Sequence, residues 1–339
     1  NDLVIPSGYL FKIEPGVRLD LVNSANIISY SPVKLIGTPK NPIIINSSKY
    51  SGQGVAVFNA NGMSEFNNII IKNLRAPKRK GWELTGAVTF YESDVSILNS
   101  RFLNNNESDD LLNIIRSSFS IQDSLFQDSM ADALDVDFSN GQISNSYFTR
   151  CGTNSNIGDC IDFSGSNVEL FGIEVSGAGD KGISAGEKSF ISIDGGKISQ
   201  TNIALASKDL SNLQARNISL AKSKYGFVAY QKKPEYGPAK IIINSPLDKI
   251  NKPETIEKKI RYTTPYSDGQ INDVSTKLIN LNMRLESLST MSRAKMSPFH
   301  GLKFREGIIR VVGYLPSNLY LDVQSSHRYG PLQGGGPTS

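Results

Sequence analysis

Apolar residues return at a nearly constant interval through the middle of the chain, in three columns that run in phase. The first column contains Phe90, Leu112, Leu134, Ile161, Ile183, Leu205 and Phe227, with steps of 22 residues and one step of 27. The second contains Ile97, Ile121, Ile143, Leu170, Ile193 and Ala215, and the third Phe102, Phe126, Phe148, Val175, Ile198 and Leu220. Such a period indicates stacked structural repeats.

Each repeat holds short stretches of alternating polar and apolar residues, such as SILNSRF and SIQDSLF, separated by Asn, Gly, Ser and Asp. This pattern is typical of strands joined by tight turns. A further small polar column, Asn99, Asp123, Asn145, Gly172, Gly195 and Asn217, marks a turn in which we expect ladders of side-chain amides. We therefore predict an all-β, right-handed parallel β-helix with coils of about 22 residues. A leucine-rich repeat has a similar period, but these repeats lack its helical or LxxLxL segments.

The rhythm fades after Pro238, so we assign residues 1–245 to the β-helix and 246–272 to a linker or loop. Residues 273–329 are predicted to hold one amphipathic helix and short strands. Val274, Leu278, Leu281, Leu285 and Leu288 give the helical spacing over 273–291, with Asp273 as its N-cap. This helix could pack on the β-helix, which we favour, or mediate self-association. A hairpin is expected around 315–318 and a flexible tail at 330–339.

Charge and composition exclude several classes of protein. The chain has 36 Lys and Arg against 32 Asp and Glu, a net charge of +4, which is weak for a nucleic-acid binder. No apolar run is long enough for a membrane helix, and the first ten residues lack the features of a signal peptide. Cys151 and Cys160 have no clustered histidines beside them, which argues against zinc. They could form a disulfide, although two free thiols are our preferred expectation.

The opening segment IPSGYLFKIEPGVRLDL contains the pattern P-x-G…I-x-P-G-V-x-L and resembles an N-terminal capping coil. With the repeat, it makes residues 1–245 resemble the pectate-lyase-like superfamily of right-handed β-helices. That resemblance implies carbohydrate polymers as ligands and lyase, hydrolase or C5-epimerase activities. Asp109 and Asp110 resemble one motif of polygalacturonase-like hydrolases, but no GHG, DPHD or lyase-type arginine motif occurs. No catalytic residue of a relative can therefore be assigned here.

Acidic residues recur at two positions of the repeat, in successive predicted coils. Two residues before the first apolar column stand Asp110, Asp132, Asp159 and then Lys181, and one residue after it stand Asn113, Asp135, Asp162 and Ser184. Asp137 follows two positions beyond Asp135. Neighbouring strands lie ~4.8 Å apart, so like charges would face one another at some cost. A bound cation, a shared proton or a nearby lysine would offset that cost.

We consider Asp135, Asp137, Asp162, Lys181 and Lys208 as candidate catalytic residues, with a lysine as the base. Asp135 and Asp162 are also candidate ligands of Ca²⁺. Asp132, Asp159, Lys188, Tyr230 and Lys232 are candidate substrate-binding residues, and Tyr225 could also stack on a sugar. The alternative is structural, because Asp is common where a side chain caps the backbone at a turn. That alternative applies best to Asp110, Asp132 and Asp159.

Three functions remain open. The first is a secreted, periplasmic or cell-surface protein that binds or modifies an acidic polysaccharide by elimination or epimerisation. The second is a non-catalytic structural, adhesin-like or assembly module. The third is a phage-type glycan depolymerase that hydrolyses with paired carboxylates and trimerises. A β-helix by itself does not choose among them.

Overall fold

The computed structural model describes residues 2–105, 107–152 and 157–246, and four later strands at 260–262, 272–274, 308–311 and 318–324. These residues are all-β and form a right-handed parallel β-helix of about 10 turns, with about 24 residues per turn. For the four later strands the structure describes only the backbone. The predicted fold class is confirmed for this part of the chain.

Each coil contributes one strand to each of three faces. The first face holds β1 (Leu3–Ile5), β4 (Ile27–Ser29), β7 (Val55–Phe58), β12 (Gly86–Tyr91), β15 (Asp110–Ile115), β18 (Leu134–Asp137), β21 (Ile161–Ser164), β25 (Tyr225–Tyr230) and β27 (Ile260–Tyr262). The second holds β2 (Phe11–Ile13), β5 (Val33–Ile36), β8 (Ser64–Asn67), β13 (Val95–Leu98), β16 (Ser118–Gln122), β19 (Asn140–Ser144) and β26 (Lys240–Pro246). The third holds β3 (Arg18–Asp20), β6 (Ile43–Asn46), β9 (Ile69–Lys72), β14 (Arg101–Leu103), β17 (Leu125–Ser129) and β20 (Tyr147–Cys151).

Three long strands, β22 (Asn167–Gly186), β23 (Phe190–Lys208) and β24 (Asn212–Ala221), bend around corners of the coil and serve more than one face. A short antiparallel hairpin, β10 (Lys78–Arg79) and β11 (Trp82–Glu83), lies between the third and fourth coils. Apart from this hairpin, the strands up to residue 246 pair with one another in parallel, as a coil that always winds in one direction requires. The last of them, β26, also pairs antiparallel with the later strand Asn318–Gln324.

The predicted apolar columns form the core, with one correction. The second and third columns pair as predicted, and the rings of Phe102, Phe126 and Phe148 stack at centroid distances of 4.9 and 4.7 Å. In the first column, however, Leu112 pairs with Val88, and Phe90 pairs with Ile114. The step from Val88 to Leu112 is two residues longer than the predicted 22. The period of two along a strand conceals such a shift, because residues two positions apart both point inward.

The turn column has a different physical basis from the one we expected. Asn99, Asp123, Asn145 and Asn217, with Gly172 and Gly195, all have positive φ, between 46 and 74°. This left-handed conformation suits Gly, Asn and Asp, and it explains the column without amide ladders. Another corner carries buried serines that sequence reasoning missed. There the amide of each serine donates to the hydroxyl of the serine in the next coil, at 2.9 to 3.0 Å, in the series Ser93, Ser117, Ser139, Ser166, Ser189 and Ser211.

Cys151 and Cys160 form a disulfide, with Cα atoms 5.1 Å apart, so the expectation of two free thiols was wrong. Their sequence separation is 9, and the extra residues of this coil lie between them. Cys151 ends β20 and Cys160 directly precedes β21, and both side chains are buried. The two sulfur atoms therefore meet in the core. A disulfide here fixes the ends of the one insertion that interrupts the acidic strands.

The C-terminal predictions are tested only in part. The predicted N-cap, Asp273, lies instead in a strand, β28 (Asn272–Val274), which pairs antiparallel with β27, and residues 275–291 lie outside the described residues. The segment predicted as a linker likewise contains β27. The expected hairpin is present, because β29 (Ile308–Val311) and β30 (Asn318–Gln324) pair antiparallel. Among the described residues, no helix has the length and apolarity needed to cross a membrane.

Candidate functional site

The predicted acidic strands lie side by side on the first face. Asn113 pairs with Asp135, Asp135 with Asp162, and Asp162 with Ser184, so the predicted column is confirmed. Asp137 lies between Ile115 and Ser164, also as predicted. Because the core residues Leu134 and Val136 point inward, the carboxylates point out of the coil at successive rungs.

Asp132 and Asp159 hold the backbone of the next coil. The Asp159 amide donates to Asp132 Oδ1 at 2.7 Å, and the Lys181 amide donates to Asp159 Oδ1 at 2.9 Å. The Lys181 ammonium also binds Asp159, with Nζ–Oδ1 3.2 Å, and contacts Asp180. These bonds match the structural alternative, in which an aspartate caps a turn. Asp110 is buried too, and its Oδ2 has no hydrogen-bond partner.

Asp135, Asp137 and Asp162 are half-buried and have fewer partners. The Asn113 side-chain amide donates to Asp135 Oδ2 at 3.0 Å and to Asp137 Oδ2 at 3.2 Å. Asp162 Oδ1 lies 3.4 Å from Nζ of Lys208, which comes from a strand two rungs away. Gly186 lies between these rungs, where a Cβ atom would come within 3.2 Å of Lys208 Cε. The glycine therefore allows the lysine side chain to lie across it.

Burial and mutual repulsion raise the pKa values of these acids. The pKa of Asp135 is well above its ordinary value because of burial and the charges of Asp110, Asp137 and Asp162. Burial also raises the pKa of Asp137, and Asp162 adds to the shift. The pKa rises to about 9 at Asp132, chiefly through burial and Asp159, and to about 8 at Asp110, chiefly through burial and Asp109. Neutral carboxylic acids are thus held next to charged ones at neutral pH.

The two candidate lysines are held in their charged form. Burial alone would lower the pKa of Lys181, but Asp159, Tyr230 and Asp180 together outweigh it and raise the pKa above the ordinary lysine value. The pKa of Lys208 is raised in the same way, because Asp162, Asp159 and Tyr230 together outweigh burial. A base must accept a proton, so these ion pairs argue against the predicted role of either lysine as the catalytic base. They favour a role in compensating the acidic cluster.

The carboxylates also decide how well a metal ion would fit. Carboxylate oxygens of Asp132, Asp159 and Asp162 lie within 4.8 Å of one another, a different set from the predicted pair Asp135 and Asp162. Lys181 and Lys208 already provide positive charge at two of these three residues. Calcium needs several oxygen ligands free to coordinate it, and these residues do not fit that requirement. The calcium site stays a prediction, with the lysines as the argument against it.

The remaining predicted binding residues lie around one end of the cluster. Lys188 and Lys232 are exposed; the Lys188 amide donates to the Asp209 carbonyl, and the Lys232 amide donates to Asp209 Oδ1 at 2.6 Å. Tyr230 lies opposite Lys208 in the neighbouring strand, and burial raises the pKa of the Tyr230 hydroxyl. Tyr225 is only 1% exposed and packs in the core, so it is not available to stack on a sugar.

Several contributors were not among the predicted site residues. Asn113 bridges two acids, although it occupies the same column and could have been included on that ground. Glu187 accepts from the Ser164 hydroxyl and pairs with Lys233, with Nζ–Oε1 2.6 Å. Burial alone would raise the pKa of Glu187, but these hydrogen bonds lower it overall. This ion pair lies at the edge of the cluster beside Asp137 and adds to those of Lys181 and Lys208.

Comparison with known proteins gives likenesses in fold only. No family model matches the chain, and no curated protein matches it. Among solved structures, the chain is similar to the enzymatically active domain of bacteriophage CBA120 tailspike protein 2, at 12% identity and a TM-score of 0.37. That match covers 66% of this chain and 41% of the tailspike domain, so the chain spans less than half of that domain's length.

Two glucanases give similar matches. The catalytic domain of a GH87 α-1,3-glucanase, solved in complex with nigerose, shares 12% identity at a TM-score of 0.34, and the match covers 78% of this chain and 64% of that one. The catalytic unit of the thermostable GH87 α-1,3-glucanase from Streptomyces thermodiastaticus shares 10% identity at a TM-score of 0.25, over 79% and 65% of the two chains. The site described above therefore has to be judged by its own chemistry.

Proposed function

We propose that this protein is a glycan hydrolase whose reaction uses the carboxyl groups on β18 and β21. The observation that carries the proposal is the arrangement of Asp135, Asp137 and Asp162. These three half-buried acids lie on adjacent rungs, and their partners are one bridging amide and one buried lysine. Asp132 and Asp159, in contrast, are engaged with the backbone.

Hydrolysis of a glycosidic bond needs one protonated and one ionised carboxyl group. Asp135 fits the role of the acid, because burial and the neighbouring acids raise its pKa well above the ordinary value, which favours the protonated form. Asp162 fits the role of the ionised partner, because the Lys208 ammonium lies 3.4 Å from it. Asp135 gives its proton to the leaving glycosidic oxygen as the C–O bond breaks. Water supplies the hydroxyl group that bonds to the anomeric carbon, and its other proton restores the acid.

The charge of the site favours a neutral glycan over the acidic one that we expected. Seven acids, Asp110, Asp132, Asp135, Asp137, Asp159, Asp162 and Glu187, stand against three lysines, Lys181, Lys208 and Lys233, each of which is already paired. Asp110 and Asp132 stay protonated near neutral pH because their pKa values are raised, and the three lysines compensate Asp159, Asp162 and Glu187. A uronate carboxylate would therefore find no unpaired lysine of this set to bind. Elimination and epimerisation also need a base to remove a proton, a role that the charged lysines fit poorly.

The disulfide bears on where the protein acts. Disulfides form and persist in oxidising surroundings, and Cys151–Cys160 is a disulfide buried in the core. This supports a secreted, periplasmic or cell-surface protein, in which a polysaccharide is an accessible substrate.

A non-catalytic glycan-binding β-helix is the second candidate. It is favoured by the structural bonds of Asp132 and Asp159, which show that part of the acidic surface serves the fold. If these bonds were typical of all the acids, no acid would be left for catalysis.

The test is incubation with a panel of neutral and uronate polymers. New reducing ends report hydrolysis, and ultraviolet absorbance of unsaturated sugars reports elimination. We expect reducing ends from a neutral polymer, and a loss of about 100-fold or more in both Asp135→Asn and Asp162→Asn. Asp123→Asn is the matched control, because Asp123 is exposed in a turn at another corner. Binding without cleavage would select the second candidate, and unsaturated products would refute the hydrolase.

A further inference from the structure

An aromatic column continues the acidic strands toward the N-terminal end of the β-helix. Tyr30, Phe58 and Tyr91 occupy corresponding positions after β4, in β7 and in β12, and Trp82 of the β10–β11 hairpin joins them. Centroid distances to Phe58 are 5.9 Å for Tyr30, 6.4 Å for Tyr91 and 6.4 Å for Trp82. We call Tyr30, Phe58, Trp82 and Tyr91 the aromatic platform.

The platform is in line with the acids. Tyr91 pairs with Ile115, and Ile115 pairs with Asp137, so one outward column runs from the rings into the cluster. Four rungs separate Tyr30 from Asp137, which at ~4.8 Å per rung is a distance of ~19 Å. A glycan lying along the axis of the β-helix could contact the platform with several sugars while another sugar lies at the carboxylates.

Exposure distinguishes the platform from the core. Tyr30 is 44% exposed and Trp82 38% exposed, whereas the stacked rings of Phe102, Phe126 and Phe148 are fully buried. The core rings are parallel within 5°, but the platform rings are inclined to one another by 31 to 89°. Phe58 and Tyr91 are half-buried, so each of the four rings keeps part of its surface open to solvent.

The hairpin that carries Trp82 is anchored at several points. Arg79, which is opposite Trp82 in the hairpin, donates to Asp2 Oδ2 at 2.9 Å and to the Ser24 carbonyl at 2.8 Å. It also donates to Gln53 Oε1 at 2.5 Å. These bonds fix an inserted element whose tryptophan contacts Phe58 while staying exposed to solvent. A ring held in place in this way binds a ligand at a lower entropic cost.

The charged groups around the platform suit a neutral, hydroxyl-rich partner. Arg116 lies over the Tyr91 ring at 5.9 Å, donates to the Tyr91 hydroxyl at 3.0 Å and pairs with Glu92. Lys78 and Glu83 pair across the hairpin. Apolar ring faces beside paired polar groups match the apolar faces and hydroxyl groups of sugars.

We propose that the aromatic platform is the glycan-binding surface of this protein and holds several sugars of a neutral polysaccharide that extends to the acidic cluster. The inference rests on the proposed glycan hydrolase for the chemistry of its partner. It adds the direction in which the glycan lies along the first face and the residues that bind the glycan. A second copy of this chain, or another part of its own sequence, is the competing occupant.

Trp82 is the single tryptophan of the chain, so its fluorescence reports on the platform alone. The probes are amylose, an α-1,3-glucan, xylan, mannan and an O-antigen polysaccharide, added to the full chain carrying Asp135→Asn so that binding is not followed by cleavage. We expect a saturable change in Trp82 emission with at least one polymer. Phe58→Ala should weaken that binding about 3- to 10-fold, the contribution of one aromatic contact. Phe190→Ala is the matched control, since this exposed ring lies on the second face.

In the active protein, the same polymer should show a raised KM with Phe58→Ala and Trp82→Ala and a nearly unchanged kcat. Cleavage with no Trp82 response and an unchanged KM would overturn the platform and leave the hydrolase standing. A Trp82 response without cleavage would leave the platform standing and overturn the hydrolase. If no polymer is cleaved and none changes Trp82 emission, both the platform and the hydrolase are overturned. Protection of Trp82 from acrylamide quenching before any polymer is added would show that another occupant covers the platform, and would overturn the inference.

Discussion

The ion pair between Lys208 and Asp162 gives the most direct test of how the acidic face is held together. The Lys208 side chain is only 7% exposed and its Nζ lies 3.4 Å from the carboxylate. At an effective dielectric constant of ~20, two unit charges at that distance attract by about 5 kcal/mol. Removing one partner of a buried pair typically costs about 3–5 kcal/mol, because it leaves the other charge uncompensated. We therefore expect Lys208→Met to lower the free energy of unfolding by about 3 kcal/mol.

The assay is urea unfolding followed by circular dichroism, with four proteins compared: wild type, Lys208→Met, Asp162→Asn and the double variant. Because the double variant removes both charges, it should recover most of the loss and lie within about 1 kcal/mol of wild type. Lys188→Met is the control, since Lys188 is exposed and its substitution should change stability by less than about 0.5 kcal/mol. Equal stability of wild type and Lys208→Met would refute the reasoning, as would a double variant no more stable than Lys208→Met.

Four further predictions follow from the same structure. Stability should fall as the pH rises from about 5 to about 8, because the folded protein keeps protons on Asp110 and Asp132, whose pKa values are about 8 and about 9, while the unfolded chain releases them. Asp132→Asn should reduce that slope in unfolding curves measured across this range, and an unchanged slope would contradict the assignment. The double variant Cys151→Ser, Cys160→Ser should lose about 2.5 kcal/mol for a loop with a sequence separation of 9, and a reductant should lower the Tm of wild type only. Phe126→Ala should cost about 3–5 kcal/mol by opening a cavity in the stacked ring column, whereas Phe190→Ala should cost little in the same melts. Chelation with EDTA should leave the Tm unchanged, since Lys181 and Lys208 already compensate the carboxylates; a large drop in Tm would restore the calcium site.

Much of the architecture could be predicted because a parallel coil repeats its environment. A residue at one position in the coil has the same position above and below it, so columns such as Ile97–Ile121–Ile143 are visible in the chain alone. The same regularity predicted that Asp135 lies beside Asp162 and Asp137 beside Ser164. Where the regularity is interrupted, prediction was less accurate. The longer coil displaced Phe90 from its predicted partner, and the column of rings from Tyr30 to Tyr91 went unrecognised because the coils that carry it differ in length.

The sequence by itself determined the class of fold, the inward columns and the face on which the acids gather, because hydrophobic burial with a period of two along each strand fixes which residues point inward. Only the tertiary structure decided which charges compensate one another. Lys208 reaches across Gly186 to a residue 46 positions earlier in the chain, and Asn113 connects two acids of the next coil. The tertiary structure also decided that the two cysteines are bonded and that Trp82 lies over Phe58. These contacts depend on the lengths of insertions and on the reach of single side chains, which no periodic pattern in the sequence records.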